Sequence, residues 1–216
     1  MIDVNWEGDG IYHQWHYHFF RGSLGKNIGS NPRYTYQSPT AGFPATWNTS
    51  WTPDQSQPFE ISARFIDESG LIYMAEAVDG LTFSRDGHRV ELCKPYDQPQ
   101  KWVTRSGEHS EKFRVAGDLG KAVAAQLCWV SWSPGYMNGI YINNTKVFDS
   151  EGPRYAYMAH RVALSNVSVL QSGENILKTG KTPLYDGSMV HGMEVNWPGI
   201  QVLIQYSVPA EAQQAQ

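Results

Sequence analysis

Cysteine is nearly absent from this 216-residue chain, which has only Cys93 and Cys128. A disulfide-dense miniature scaffold is therefore excluded, and a chain of this length can bury a core of its own. Charge is sparse too: 18% of residues are charged, the formal net charge is −4, and no basic cluster is longer than a residue or two. Such a surface is not built to neutralise a phosphate backbone, so no nucleic-acid partner is expected. No run approaches the roughly 20 apolar residues that a membrane-spanning helix needs, and no membrane partner is expected. The first residues, Met-Ile-Asp-Val-Asn-Trp-Glu, lack the basic and apolar regions of a signal peptide. The chain opens almost directly on a strand pattern, which reads as a segment of a longer or processed protein.

Long amphipathic helices are missing. Only 118–125 and 209–216 look helical, and neither sustains a 3.6-residue apolar repeat. Sequence signatures of catalysis are missing as well: the chain contains no G-x-S-x-G, H-E-x-x-H, P-loop or G-x-G-x-x-G. Any catalytic chemistry must therefore rest on dispersed residues.

What the chain has in quantity is 20 Gly, 12 Pro, 12 Tyr and 8 Trp, a composition of short strands and turns. Alternation is clear in F-E-I-S-A-R-F-I-D from Phe59, and further short runs follow between the turns at Asp79-Gly80 and Asp86-Gly87. Ala122–Trp132 carries apolar residues on both faces, as a central strand covered on both sides would. At the C-terminal end, Ile200, Val202, Ile204 and Tyr206 alternate after a Pro198-Gly199 turn. The expectation is an all-β protein of two antiparallel β-sandwiches. The first spans residues 1–107 with long aromatic loops, the second spans 108–208, and 209–216 is a disordered tail. The boundary is placed in the proline-containing stretch 95–107, read as a linker.

Between Gly22 and Pro58 a Gly/Pro/Ser/Asn-rich region is punctuated by Tyr34, Tyr36, Phe43, Trp47 and Trp51, read as rings pinning long loops to the core. The two cysteines sit in strand-like runs. Bridged, they would close a loop of about 36 residues, worth roughly 3 to 4 kcal/mol; two buried free thiols are the alternative.

The stretch 136–175 organises the second half. Ile140–Ile142 and Lys146–Phe148 flank Asn143-Asn144, a pair that tolerates the positive φ of a hairpin tip, and Gly173 turns the chain before Asn175-Ile176-Leu177 re-enters a sheet. An Asn-Gly or Asn-Asn hairpin followed by Leu170-x-x-Gly-Glu-Asn175 resembles the galactose-binding-domain-like jelly roll appended to many glycoside hydrolases. The strand, Asp-Gly turn and strand order over 57–105 is similar to an immunoglobulin or fibronectin type III sandwich. The resemblance implies a final strand lying beside the first. It also implies a carbohydrate-binding, non-catalytic accessory module of a larger extracellular or periplasmic protein, tethered to further domains.

The second half carries the residue types that hold sugars, with rings for apolar C–H faces and forked polar groups for hydroxyls. These are Trp132, Tyr136, Arg154, Tyr155, Tyr157, His160, Arg161, His191, Glu194, Asn196 and Trp197. Each ring has a core reading beside its ligand reading, Trp129, Tyr141 and Trp197 above all. Catalysis would need Glu194 with Asp186, or Tyr157 with His160 and Arg161, in one cleft. On a strand, His16 and His18 share a face and form half of a copper or zinc site, but no partner ligands lie nearby in sequence, so packing is the preferred reading. No cofactor is expected; a structural calcium stays open, and copper or zinc is disfavoured. The sequons at Asn48, Asn143 and Asn166 fit secretion. A purely structural or assembly sandwich is the third class of function.

Overall fold

A computed structural model describes residues 2–5, 50–54, 56–66, 69, 71–74, 76, 78–82, 85–183, 191–196 and 199–208. The protein is all-β, and its helical turns among these residues are three 3₁₀ turns of three residues each. One of them, Leu119–Lys121, falls in the helix-like window 118–125; Asp118 caps it, and from Ala122 the chain is strand.

Strands β1 (Ile2–Asn5), β2 (Phe59–Ile66), β3 (Ile72–Met74) and β4 (Val78–Leu81) form one antiparallel sheet around β2. The remaining strands build a sandwich. One sheet contains β6 (Pro95–Tyr96), β7 (His109–Val115), β9 (Ile140–Ile142), β10 (Thr145–Phe148) and β12 (Gly173–Thr179), in the order β10-β9-β12-β7-β6. The other contains β5 (His88–Cys93), β8 (Ala122–Trp132), β11 (Tyr157–Ala163) and β14 (Gln201–Ser207), in the order β11-β8-β14-β5. Short β13 (Glu194–Val195) pairs with the Trp132 end of β8.

Strands β5 and β6 fall before the boundary expected at 107, yet they hydrogen-bond to β14 and β7 of this sandwich. The proline-containing stretch 95–107 is pinned rather than free-running. Trp102 is buried and its indole Nε1 donates to Thr179 Oγ1 at 2.8 Å. The closing strand β14 lies between β8 and β5, the first strand of the sandwich.

Alternation explains the core. Phe113 and Val115 of β7, Ile140 and Ile142 of β9, and Leu177 of β12 face Leu127 and Trp129 of β8 and Val202 and Ile204 of β14, all essentially inaccessible. Two sheets packed face to face leave a layer about 10 Å thick for these side chains. The opposite face of β8 is covered as well: Cys128 and Val130 join Val90 and Leu203 in a smaller cluster packed by Trp51. The 50–54 segment crosses this face, with Asp54 N–H donating to Val90 O (3.0 Å) and Gln205 Nε2 donating to Ser50 O (2.8 Å). Trp51 is thus one of the pinning rings; Tyr34, Tyr36, Phe43 and Trp47 lie outside the described residues. Cys93 and Cys128 are both buried, lie in different clusters and are not bridged, and burial beside Glu91 pushes the Cys93 thiol up.

The hairpin tip is built as the Asn pair requires. Asn143 and Asn144 stand at φ 48° and 67°, and Gly173 at 81°. Asn143 Nδ2 donates to Val169 O (3.0 Å) and to Asn175 Oδ1 (2.8 Å), so this sequon's amide is engaged inside the fold.

Candidate functional site

β8 and β11 run antiparallel with Trp132 opposite Tyr157, and beyond that pair the two chains stay in contact through irregular backbone. Ser133 N–H donates to Ala156 O (2.8 Å) and Gly135 N–H to Pro153 O (3.1 Å). The approach is close enough that a Cβ on Gly135 would come within 2.8 Å of Gly152 O, and one on Gly152 within 2.6 Å of Pro134 Cγ. The P-G and G-P dipeptides at 134–135 and 152–153 are turn signals that serve here to let two loops touch.

This contact displays a cluster of side chains. The Tyr136 and Tyr155 rings meet edge to face, with centroids 5.8 Å apart at 78° and Tyr136 OH donating to Tyr155 OH at 2.9 Å. His191 approaches Tyr155 at 5.0 Å and 82°, and Tyr136 at 5.8 Å and 43°. The Arg154 guanidinium lies over Tyr136, 4.7 Å from the ring centroid. Each edge-to-face pair contributes about 0.5 to 1.5 kcal/mol, and an exposed cation–π contact about 0.5 to 1 kcal/mol. Together they fix ring orientation while Tyr155 remains 54% exposed. Chemically the cluster offers ring faces, two phenol hydroxyls, an imidazole and a guanidinium, a set suited to stacking and hydrogen bonding.

Four of the predicted residues, Tyr136, Arg154, Tyr155 and His191, are therefore brought together. Others are separated by the two-residue alternation of β11. Tyr157 and Ala159 pack against the outer cluster, whereas His160 points into the core, stacked flat on Trp129 (4.1 Å, 5°) with Nε2 3.1 Å from Ser131 Oγ. Burial lowers its pKa to about 4. His160 is a packed core histidine, and the Tyr157/His160/Arg161 grouping does not form one cleft. Arg161 pairs in register with Cys128.

Trp132 and Tyr157 make a second, half-buried edge contact (4.9 Å, 61°), flanked by exposed Glu194, which pairs in register with Trp132. Asn196 is half-buried; its N–H donates to Val130 O and its C=O accepts from Gly199 N–H, both at 2.9 Å. Trp197, Asp186, His16, His18 and the 209–216 tail lie outside the described residues. Among the described residues no three His, Cys, Asp or Glu side chains form a group that could hold a metal ion, and no helix is long and apolar enough to cross a membrane.

Three residues that shape the cluster carry no sequence signal: Ser133, whose Oγ accepts from Tyr155 N–H (2.8 Å), and Thr104 and Thr182 beneath it. Ser and Thr are common in any β protein, and only tertiary contact marks these three.

No protein-family model matches the chain, and no curated protein does. Among solved structures the chain is similar to a variant of BuGH86 in complex with neoagarooctaose, at 11% identity and TM-score 0.42, covering 76% of this chain and 30% of that one. The wild-type BuGH86 complex gives the same identity and TM-score over 75% and 29%. An exo-β-1,3-galactanase from Phanerochaete chrysosporium with β-1,3-galactotriose follows at 12% identity and TM-score 0.30, covering 68% and 32%. The chain thus spans about a third of the length of each.

Proposed function

We propose that this sandwich binds a glycan without turning it over, as an accessory module of a larger extracellular or periplasmic carbohydrate-active protein, and that Tyr136, Arg154, Tyr155 and His191 are its contact residues. The observation that carries the reading is Tyr155, a large ring more than half exposed whose backbone sits at φ +58°. A bulky residue in that conformation costs about 1 kcal/mol or more, and such costs collect at binding sites. A pyranose ring stacks its C–H face on such a phenol while guanidinium, imidazole and hydroxyls reach its oxygens.

The galactose-binding-like assignment draws support from the Asn143-Asn144 hairpin, the turn at Gly173, and β14 lying beside β5. The absence of catalytic sequence signatures and the division of Tyr157 from His160 across β11 favour binding over turnover. Trp132, Tyr157 and Glu194 lie at the same end of β8 and β11 and extend the surface available to a longer oligosaccharide.

A glycan array followed by calorimetry on the full chain tests this. The expected result is a hit whose binding is lost in Tyr155→Ala while the variant still melts cooperatively as a folded protein. An array without hits would sink the proposal, and sugar product released into the mixture would replace binding by catalysis.

A further inference from the structure

We propose that Thr104 and Thr182 are positioning residues that lock the two arms of the aromatic cluster together, an inference that rests on the glycan-binding reading of that cluster. One arm carries Tyr136 and the other His191, 55 positions apart in sequence. Both arms end on the same pair of hydroxyls. Met193 N–H donates to Thr104 Oγ1 (2.8 Å), Thr104 and Thr182 share an Oγ1···Oγ1 bond of 2.6 Å, and Thr182 Oγ1 donates to Tyr136 O (2.8 Å).

Each hydroxyl has one proton, which fixes the direction of the chain. Tyr136 O is acceptor only and takes the Thr182 proton. Thr104 then donates in the 2.6 Å bond, with Met193 O a second and longer acceptor of the same proton at 3.3 Å, and its lone pair receives Met193 N–H. The path therefore runs one way from the backbone two residues beyond His191 to the backbone of Tyr136 itself.

Main-chain contacts press both arms onto this pair. Thr104 N–H donates to Met193 O (2.9 Å), and Thr182 N–H donates to Thr104 O (3.0 Å). A Cβ on Gly192 would come 2.3 Å from Arg105 N, and one on Gly180 2.3 Å from Asn138 O, so both glycines are needed for the approach. Thr104, Thr182 and Met193 are all buried, and Trp102 and Met137 near them in sequence are buried apolar residues. A pair of valines would fill the same volume but would leave the buried Met193 N–H without its acceptor. What the hydroxyls add is direction and register, since each bond tolerates only a narrow geometry.

The test uses the full chain with Thr182→Val and Thr182→Ser. With the glycan identified on the array, Thr182→Val is expected to weaken binding about tenfold and Thr182→Ser to restore it to within about twofold. NMR gives a ligand-independent readout: the ring-to-ring cross-peak between Tyr155 and His191 weakens in Thr182→Val and persists in Thr182→Ser. In the parent, both threonine hydroxyl protons should be visible as slowly exchanging resonances, a measurement that stands even where Thr182→Val fails to fold. Binding and ring contacts unchanged in Thr182→Val, or hydroxyl protons lost to fast exchange in the parent, would overturn the proposal. A parent that binds no glycan would instead remove the functional reading and leave the ring contacts to decide the positioning role.

Discussion

Ser133 Oγ accepts the main-chain N–H of Tyr155 at 2.8 Å, and both residues stand in the left-handed region, at φ 52° and 58°. Neither is glycine, so two unfavourable conformers are held against each other by one hydrogen bond. Removing the acceptor leaves a partly buried N–H unpaired and frees Tyr155 to relax, at a cost of about 1 to 2 kcal/mol. Ser133→Ala should therefore lower the melting temperature by roughly 3 to 6 °C and weaken glycan binding in parallel, as read by thermal denaturation and calorimetry.

The same geometry orders two truncations of Tyr155. Both Tyr155→Ala and Tyr155→Gly remove the ring and its contacts to Tyr136 and His191. Glycine alone adopts φ +58° without a Cβ penalty, so it should be the more stable of the two by about 1 kcal/mol. Neither variant should bind glycan. Denaturant titration decides the order, and an alanine variant as stable as the glycine variant would show that the backbone at 155 is not strained.

His160 makes stability depend on acid pH. Burial against Trp129 holds its pKa near 4, below the ordinary histidine value of 6.5. Between those two values the unfolded chain binds a proton that the folded chain refuses. Stability is fully present above about pH 6.5 and falls as pH drops towards 4, by at most about 3 kcal/mol. His160→Phe, which keeps a ring to stack on Trp129 but cannot titrate, should flatten this limb in melts recorded from pH 4 to 7.

Much of the fold could be read from residue pattern because alternation is local. The two-faced run Ala122–Trp132 is the central strand β8, and the alternating Val202, Ile204 and Tyr206 supply the core side of β14. Sheet membership is not local, and the prolines of 95–107 look like a linker until Trp102 is seen bonded to Thr179 across 77 positions. For the site, residue types were legible and their grouping was not. His160 and Arg161 are neighbours in sequence, yet strand geometry sends adjacent side chains to opposite faces. Tyr136 and Tyr155 meet because Ser133 and Tyr155 adopt positive φ, which no composition signals.

The Asn175 side chain closes the stretch around which the second half is organised. It is inaccessible to solvent; its Oδ1 accepts from Gln171 N–H (2.9 Å) and Asn143 Nδ2 (2.8 Å), and its Nδ2 donates to Gln171 O (2.7 Å) and Gly173 O (3.0 Å). Asn175→Leu leaves half-buried Asn143 and Gly173 without these bonds, while exposed Gln171 can turn to water, a loss of about 2 kcal/mol or more. Asn175→Asp keeps Oδ1 but sets a second oxygen against Gln171 O and Gly173 O in an inaccessible site, so it should fold only with its carboxyl protonated and lose stability as pH rises through the carboxylate range. Chemical denaturation of the two variants ranks them, and a leucine variant as stable as the parent would refute the interlock.

Glu111 gives the opposite pH dependence to His160. Its carboxyl is 1% exposed on the core face of β7, where Oε1 accepts from Ile200 N–H at 3.0 Å. Burial raises its pKa well above the ordinary carboxylate value, and the hydrogen bonds from Ile200 and Gln98 only partly oppose that rise. The folded chain therefore keeps a proton that the unfolded chain releases as pH climbs through the carboxylate range. The folded state is favoured at low pH and loses stability as pH rises towards the raised value. Glu111→Gln retains an oxygen for Ile200 N–H and has nothing to ionise. It should melt above the parent at pH 8, with the difference shrinking as the pH is brought to 4; equal melting temperatures across that range would mean that Glu111 stays ionised in the fold.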